Sequence, residues 1–166
     1  MELKRVVVTG LGAITPVGND ARAYWKGIVS GVSGATPITK FDAENFKTKF
    51  ACEVKGFDVA DFLERKEARR MDLFTQYAVV CSDEAIKDAG LLEKENVVNL
   101  DRVGVIWGSG IGGFQTFMNE ALNFHKSDGV PRFSPFFIPM MISDIAAGHI
   151  STVSYTHLRA HETLQH

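Results

Sequence analysis

The chain is poor in the residues that mark special classes of protein. Cysteine occurs twice, tryptophan twice and proline five times in 166 residues. Cys52 and Cys81 form no metal-ligand spacing and no disulfide framework, which fits a reducing cytoplasm. Charge of neither sign dominates. Eighteen basic residues stand against twenty acidic ones, a net charge of -2, so there is no global basic field for bulk nucleic-acid binding. The apolar run near the N-terminus is too short to span a membrane and carries no small-residue cleavage site, so neither a membrane anchor nor a secretion signal is expected. Internal repeats and low-complexity segments are absent as well. What is there is ordinary globular composition, 45% hydrophobic and 23% charged, enough for one domain with a core.

The pattern alternates strands and helices. Residues 5–9 are β-branched and continuous (VVVT) and read as a strand buried on both faces, and RVGVIWG, residues 102–108, reads as a second buried strand. Asn19 or Asp20 predicts an N-cap for a helix over 21–29, with Tyr24, Trp25 and Ile28 on one face. TKFACEVKGF suggests a strand or hairpin. Asp72 opens a long amphipathic helix to Asp88, with Phe74, Ala78, Cys81 and Ala85 near helical spacing and Ala89-Gly90 as its stop. Further helices are expected over 114–125 and 143–150, separated by the Asp128-Gly129 turn and the proline-bracketed SPFFIPMM. The expected class is α/β, layered, with a mainly parallel sheet.

Several motifs invite chemistry. TGLGAITPVG follows a strand and opens G-x-G, but Thr15 takes the third glycine position and no ribose-binding acid follows a second strand. A tight structural turn is the default there, with a small NAD-binding domain as the rival. GSGIGG at 108–113 lacks the Gly-Lys-Ser/Thr of a phosphate loop, and Trp107 spoils a nucleophile elbow at Ser109. It reads as a close-packed turn, or as backbone near a ligand with Ile111 entering a pocket. Cys81 lies on an apolar helix face and Cys52 beside Glu53, so neither suits a nucleophile. RKEARR, residues 65–70, is the one concentrated basic patch. It is either a solvated face or a docking site for an acidic partner, with Lys66, Arg69 and Arg70 on one side.

The tail differs in kind. VSYTHLRAHET, from Val153 to Thr163, resembles a translated sequencing adapter. Residues 1–151 are therefore expected to carry the native region, and 152–166 no native structure. His157, His161 and Glu162 imitate a metal-binding helix, but the glutamate follows the wrong histidine for a zincin, and no metal site is expected.

Taken in order, RVVVTGLGAITPVGN, FDAENFKTKFACEVKGF, RKEARRMD, GVIWGSGIGG and PRFSPFFIPMMISDIAAGHIS resemble the N-terminal part of bacterial β-ketoacyl-[acyl-carrier-protein] synthases of type II. The resemblance covers about nine-tenths of the chain. It implies half of a thiolase-like fold and a cytoplasmic acyltransferase of fatty acid elongation. That enzyme condenses an acyl-enzyme with malonyl-carrier protein, with loss of carbon dioxide. No separate cofactor is implied. The family's nucleophilic cysteine and histidine pair follow the GHIS segment, where this chain has its tail. No residue present is therefore assigned a catalytic role, and this chain by itself is expected to be inactive. Lys66, Arg69 and Arg70 match the patch that receives the acidic carrier-protein helix. Arg132 matches a second basic contact supplied by the partner subunit. Ile111 matches the residue gating the acyl pocket, and Phe137 and Ile138 match residues reaching the neighbouring subunit's pocket. The family is homodimeric through a strand around its cysteine, so the resemblance gives no ground for a dimer of this chain alone. A carrier-binding module without catalysis, or a polyketide ketosynthase or chain-length factor, would fit the same residues.

Overall fold

The computed structural model describes residues 4–93 and 98–153 and the backbone of 158–159. Six helices and four two-residue strands occur among them, together with short 3-10 turns. Helix α1, Ala21–Val29, starts where Asp20 accepts a hydrogen bond from the Ala23 amide at 2.7 Å. Past its end, Gly31 adopts φ +67°, a conformation glycine takes without strain. Strands β1, Thr36–Pro37, and β2, Phe50–Ala51, pair antiparallel, so TKFACEVKGF supplies one short strand whose partner lies before it in the chain. Glu53 braces it, accepting from the Thr39 hydroxyl at 2.6 Å. That bond holds its carboxyl below the usual value.

Helix α2, Arg65–Ala68, is a single turn. Helix α3, Leu73–Asp88, is the spine, capped by Asp72 and closed at Gly90, where φ is +60°. Strand β3, Gly104–Val105, precedes helix α4, Phe114–Lys126; helix α5, Phe137–Met141, and helix α6, Ile145–Val153, follow. Strand β4, Leu158–Arg159, pairs parallel with β3, so the tail contributes this strand and the last residues of α6.

The core is the seam where α6 lies on α3. Met71, Ala78, Val79, Ala146 and Ile150 are buried there, with Leu63, Phe74, Val105 and Trp107 packed against them. Burying such aliphatic side chains contributes about 1.5–3 kcal/mol each for those of valine size or larger. Asp72 ties the next layer on. One carboxylate oxygen accepts from the Thr116 amide at 2.8 Å and from its hydroxyl at 2.6 Å, joining the start of α3 to α4.

Two expectations are corrected. Residues 5–9 form no strand among the described residues, and Val6, Val7 and Val8 are 90%, 59% and 81% exposed. Residues 102–108 shrink to β3, with Ile106 86% exposed. A β-branched run is only a potential strand; it becomes one when neighbours satisfy its backbone and cover both faces. Among the described residues the strands form one parallel and one antiparallel pair within the α/β arrangement.

Candidate functional site

Two glycine loops set the scene. In TGLG, a Cβ on Gly10 would overlap the Ala85 carbonyl oxygen, and one on Gly12 the Cys81 carbonyl oxygen. The loop thus lies directly on the backbone of α3. Two amides of this stretch are already taken: Leu11 donates to Asp88 at 2.9 Å and Ala13 to Glu84 at 2.8 Å. The other oxygen of Glu84 accepts from Ala21 at the start of α1 at 2.8 Å. A dinucleotide loop needs free amides facing a phosphate. Here carboxylates hold them, which removes the NAD reading and leaves the close-packed turn.

The GSGIGG loop behaves similarly. A Cβ on Gly112 or Gly113 would overlap the Met141 or Met140 carbonyl oxygen, and the Gly113 amide donates to Met141 at 2.9 Å. Ser109 is not free either, since its hydroxyl accepts from the Gly112 amide at 3.0 Å. The loop is seated on the end of α5, which joins the backbones carrying Ile111, Phe137 and Ile138. Their side chains do not enclose a pocket: Ile111 is 74% exposed and Ile138 55%. Phe137 stands instead in a stack of rings. Phe124 meets Phe133 at 5.6 Å, Phe133 meets Phe137 at 5.7 Å, and Phe137 meets Phe117 at 6.4 Å. This stack holds α5 against α4.

The basic patch is rigidly placed. Ala68 and Met71 are buried beneath it. The Gln76 side chain, one turn into α3, donates to the carbonyls of Ala68 at 3.0 Å and Met71 at 3.1 Å. Lys66, Arg69 and Arg70 are exposed, with Arg65 beside them, and these four line one hollow with Phe136. Arg70 lies 4.9 Å over the Phe136 ring, a cation–π contact that orients the guanidinium. Among the described residues none of the four is held in an ion pair; the one pair found is Lys87 with Asp83. Arg132 is exposed in a different hollow, with Asn123, Phe124, Ser127 and Phe133, so the single chain does not bring it to the α2 cations.

Cys81 lacks the setting of a nucleophile. Burial pushes the Cys81 thiol up, and the neighbouring Glu84 charge pushes it further. Cys52 is an exposed free thiol. The His157, His161 and Glu162 spacing lies outside the described residues. No described helix is long and apolar enough to cross a membrane.

The hollow adds Arg65 and Phe136 to the three cations singled out from the RKEARR patch, and away from it Asp72 and Glu84 tie the elements together. Arg65 was legible, four residues before Arg69 and so on the same helical face. Phe136 had no local signal.

The comparisons agree with one another. Residues 3–160 match the family "Beta-ketoacyl synthase, N-terminal domain". The 3-oxoacyl-[acyl-carrier-protein] synthase 2 of Staphylococcus aureus (strain COL) is 49% identical over 149 residues, covering 89% of this chain and 35% of that protein. The synthase 2 of Synechocystis is 49% identical over 148 residues, with the same shares covered. The chain thus spans about a third of the length of the curated relatives it matches. Among solved structures, the ishigamide ketosynthase/chain length factor superposes with a TM-score of 0.76 at 28% identity, covering 92% of this chain and 38% of that one. A type II polyketide ketosynthase in complex with its acyl-carrier protein gives 0.70 at 25% identity, covering 92% and 40%. The α/β arrangement is therefore part of a thiolase-like ketosynthase fold, and the chain belongs to the β-ketoacyl synthase family.

Proposed function

We propose that this chain is the N-terminal part of a fatty acid elongation enzyme, a 3-oxoacyl-[acyl-carrier-protein] synthase acting in the cytoplasm. In the reaction a cysteine carries the growing acyl group as a thioester. Malonyl-carrier protein loses carbon dioxide, and the resulting carbanion attacks the acyl carbonyl and expels the cysteine thiolate. Backbone donors stabilise the oxyanion. The 49% likeness to 3-oxoacyl-[acyl-carrier-protein] synthases supports the fatty acid reading. Residues 1–151 are the synthase region in this reading, and 152–166 stay the adapter-like tail, although the family match runs on to residue 160. Cys52 and Cys81 are not the nucleophile.

The observation that carries the proposal is the unpaired basic face on α2, pinned to the core by Gln76. Lys66, Arg69 and Arg70 receive the acidic carrier protein, and Arg132 adds a contact across a dimer of the full-length enzyme. Ile111, Phe137 and Ile138 serve the acyl pocket once that enzyme is complete. The structural relative in complex with its acyl-carrier protein supports a partner of this kind.

The test uses a full-length fusion in which residues 3–151 replace the matching segment of the Staphylococcus aureus synthase. Reversing Lys66, Arg69 and Arg70 to glutamate weakens carrier binding by about 0.5–1 kcal/mol each, mostly through on-rate and with reduced salt dependence. Turnover of small acyl thioesters lacking the carrier stays unchanged. Unaltered carrier affinity at low salt would contradict the assignment.

A further inference from the structure

Helix α2 has a hollow on each side, and only one of them is wholly basic. On the other, an open hollow of about 510 Å³ is lined by Val59, Ala60, Leu63, Ala68 and Met71, together with Arg65 and Arg69. These two arginines line both hollows and form the ridge between them. Leu63 and Met71 belong to the packed core, so the floor is fixed. The polar groups in the wall are already committed. Asp58 accepts from the Ala60 amide at 2.9 Å, and Gln76 donates to Ala68 and Met71.

We infer that this hollow is the apolar half of the docking surface. The partner helix lies along the ridge with its carboxylates over Arg65, Lys66, Arg69 and Arg70. A leucine- or methionine-sized side chain from the same helix fills the hollow. Charge complementarity selects the occupant. Unpaired cations around an apolar depression fit an acidic amphipathic helix whose apolar residue lies one turn from its carboxylates. The inference rests on the carrier-protein reading above and adds where affinity resides. Exposed rim charges steer association, whereas an apolar anchor desolvated in a pocket carries binding energy. Arg65 then joins the binding set.

The test uses the same full-length fusion and purified acyl carrier protein. Ala60 is exposed on the 3-10 turn Val59–Asp61, so Ala60→Phe fills the hollow without removing a charge. Carrier Kd rises about tenfold, while the salt dependence and the turnover of small acyl thioesters hold. An unchanged Kd in the folded Ala60→Phe variant overturns the apolar half and leaves the basic patch standing. A triple charge reversal without effect removes the docking reading itself. If Ala60→Phe lowers the thermal midpoint, Val59→Ser, which makes the same wall polar, decides by the same criterion.

Discussion

At the scale of single residues, the chain uses its carboxylates to hold loops in place. Glu84 spends both oxygens on amides from the N-terminal loop and α1, and Asp72 bridges α3 and α4. These partners lie 44 to 71 residues apart in sequence. No local pattern encodes such pairs, which is why they were illegible in the sequence while the basic patch was plain. Glu84 also bears on Cys81. Beside Glu84 and half-buried, Cys81 is held protonated at neutral pH, and thiolates are the reactive species. In the folded full-length fusion, Cys52 is therefore alkylated by iodoacetamide at pH 8 at least about tenfold faster than Cys81. Peptide mapping after timed quenching checks this. Faster reaction at Cys81 would place an activated thiol where the structure shows a suppressed one.

At the scale of elements, the longer helices were legible, whereas the short α5 and the extent of the strands were not. Asp20 and Asp72 announce α1 and α3 because a cap works through bonds within one turn, and Gly31 and Gly90 close them equally locally. The runs 5–9 and 102–108 carry no such self-contained signal. Their ladders depend on other segments, and the described residues leave most of them unpaired. The glycines of TGLG were legible as a turn, but not their target, the α3 backbone. That contact is testable. Gly12→Ala drives a methyl into the Cys81 carbonyl and costs about 1–3 kcal/mol of stability, as overpacking does. Gly110→Ala, with nothing within 4 Å of its Cβ, stays within about 0.5 kcal/mol. Thermal midpoints of the two variants in the fusion decide it, and equal shifts would refute the close approach.

At the scale of the whole molecule, the described surface carries large uncovered apolar side chains. Val6, Val8, Trp25 and Ile106 stand among its exposed apolar side chains, at 67% exposure or more. That exposure agrees with a chain spanning 35% of its relatives' length. Measuring β-ketoacyl product from malonyl- and acyl-carrier protein, for this chain alone and for the fusion ending at Ser151, tests that claim most directly. The account predicts condensation by the fusion and none above background by the chain. Turnover by the purified chain alone, or a folded fusion that binds carrier protein yet never condenses, would contradict it.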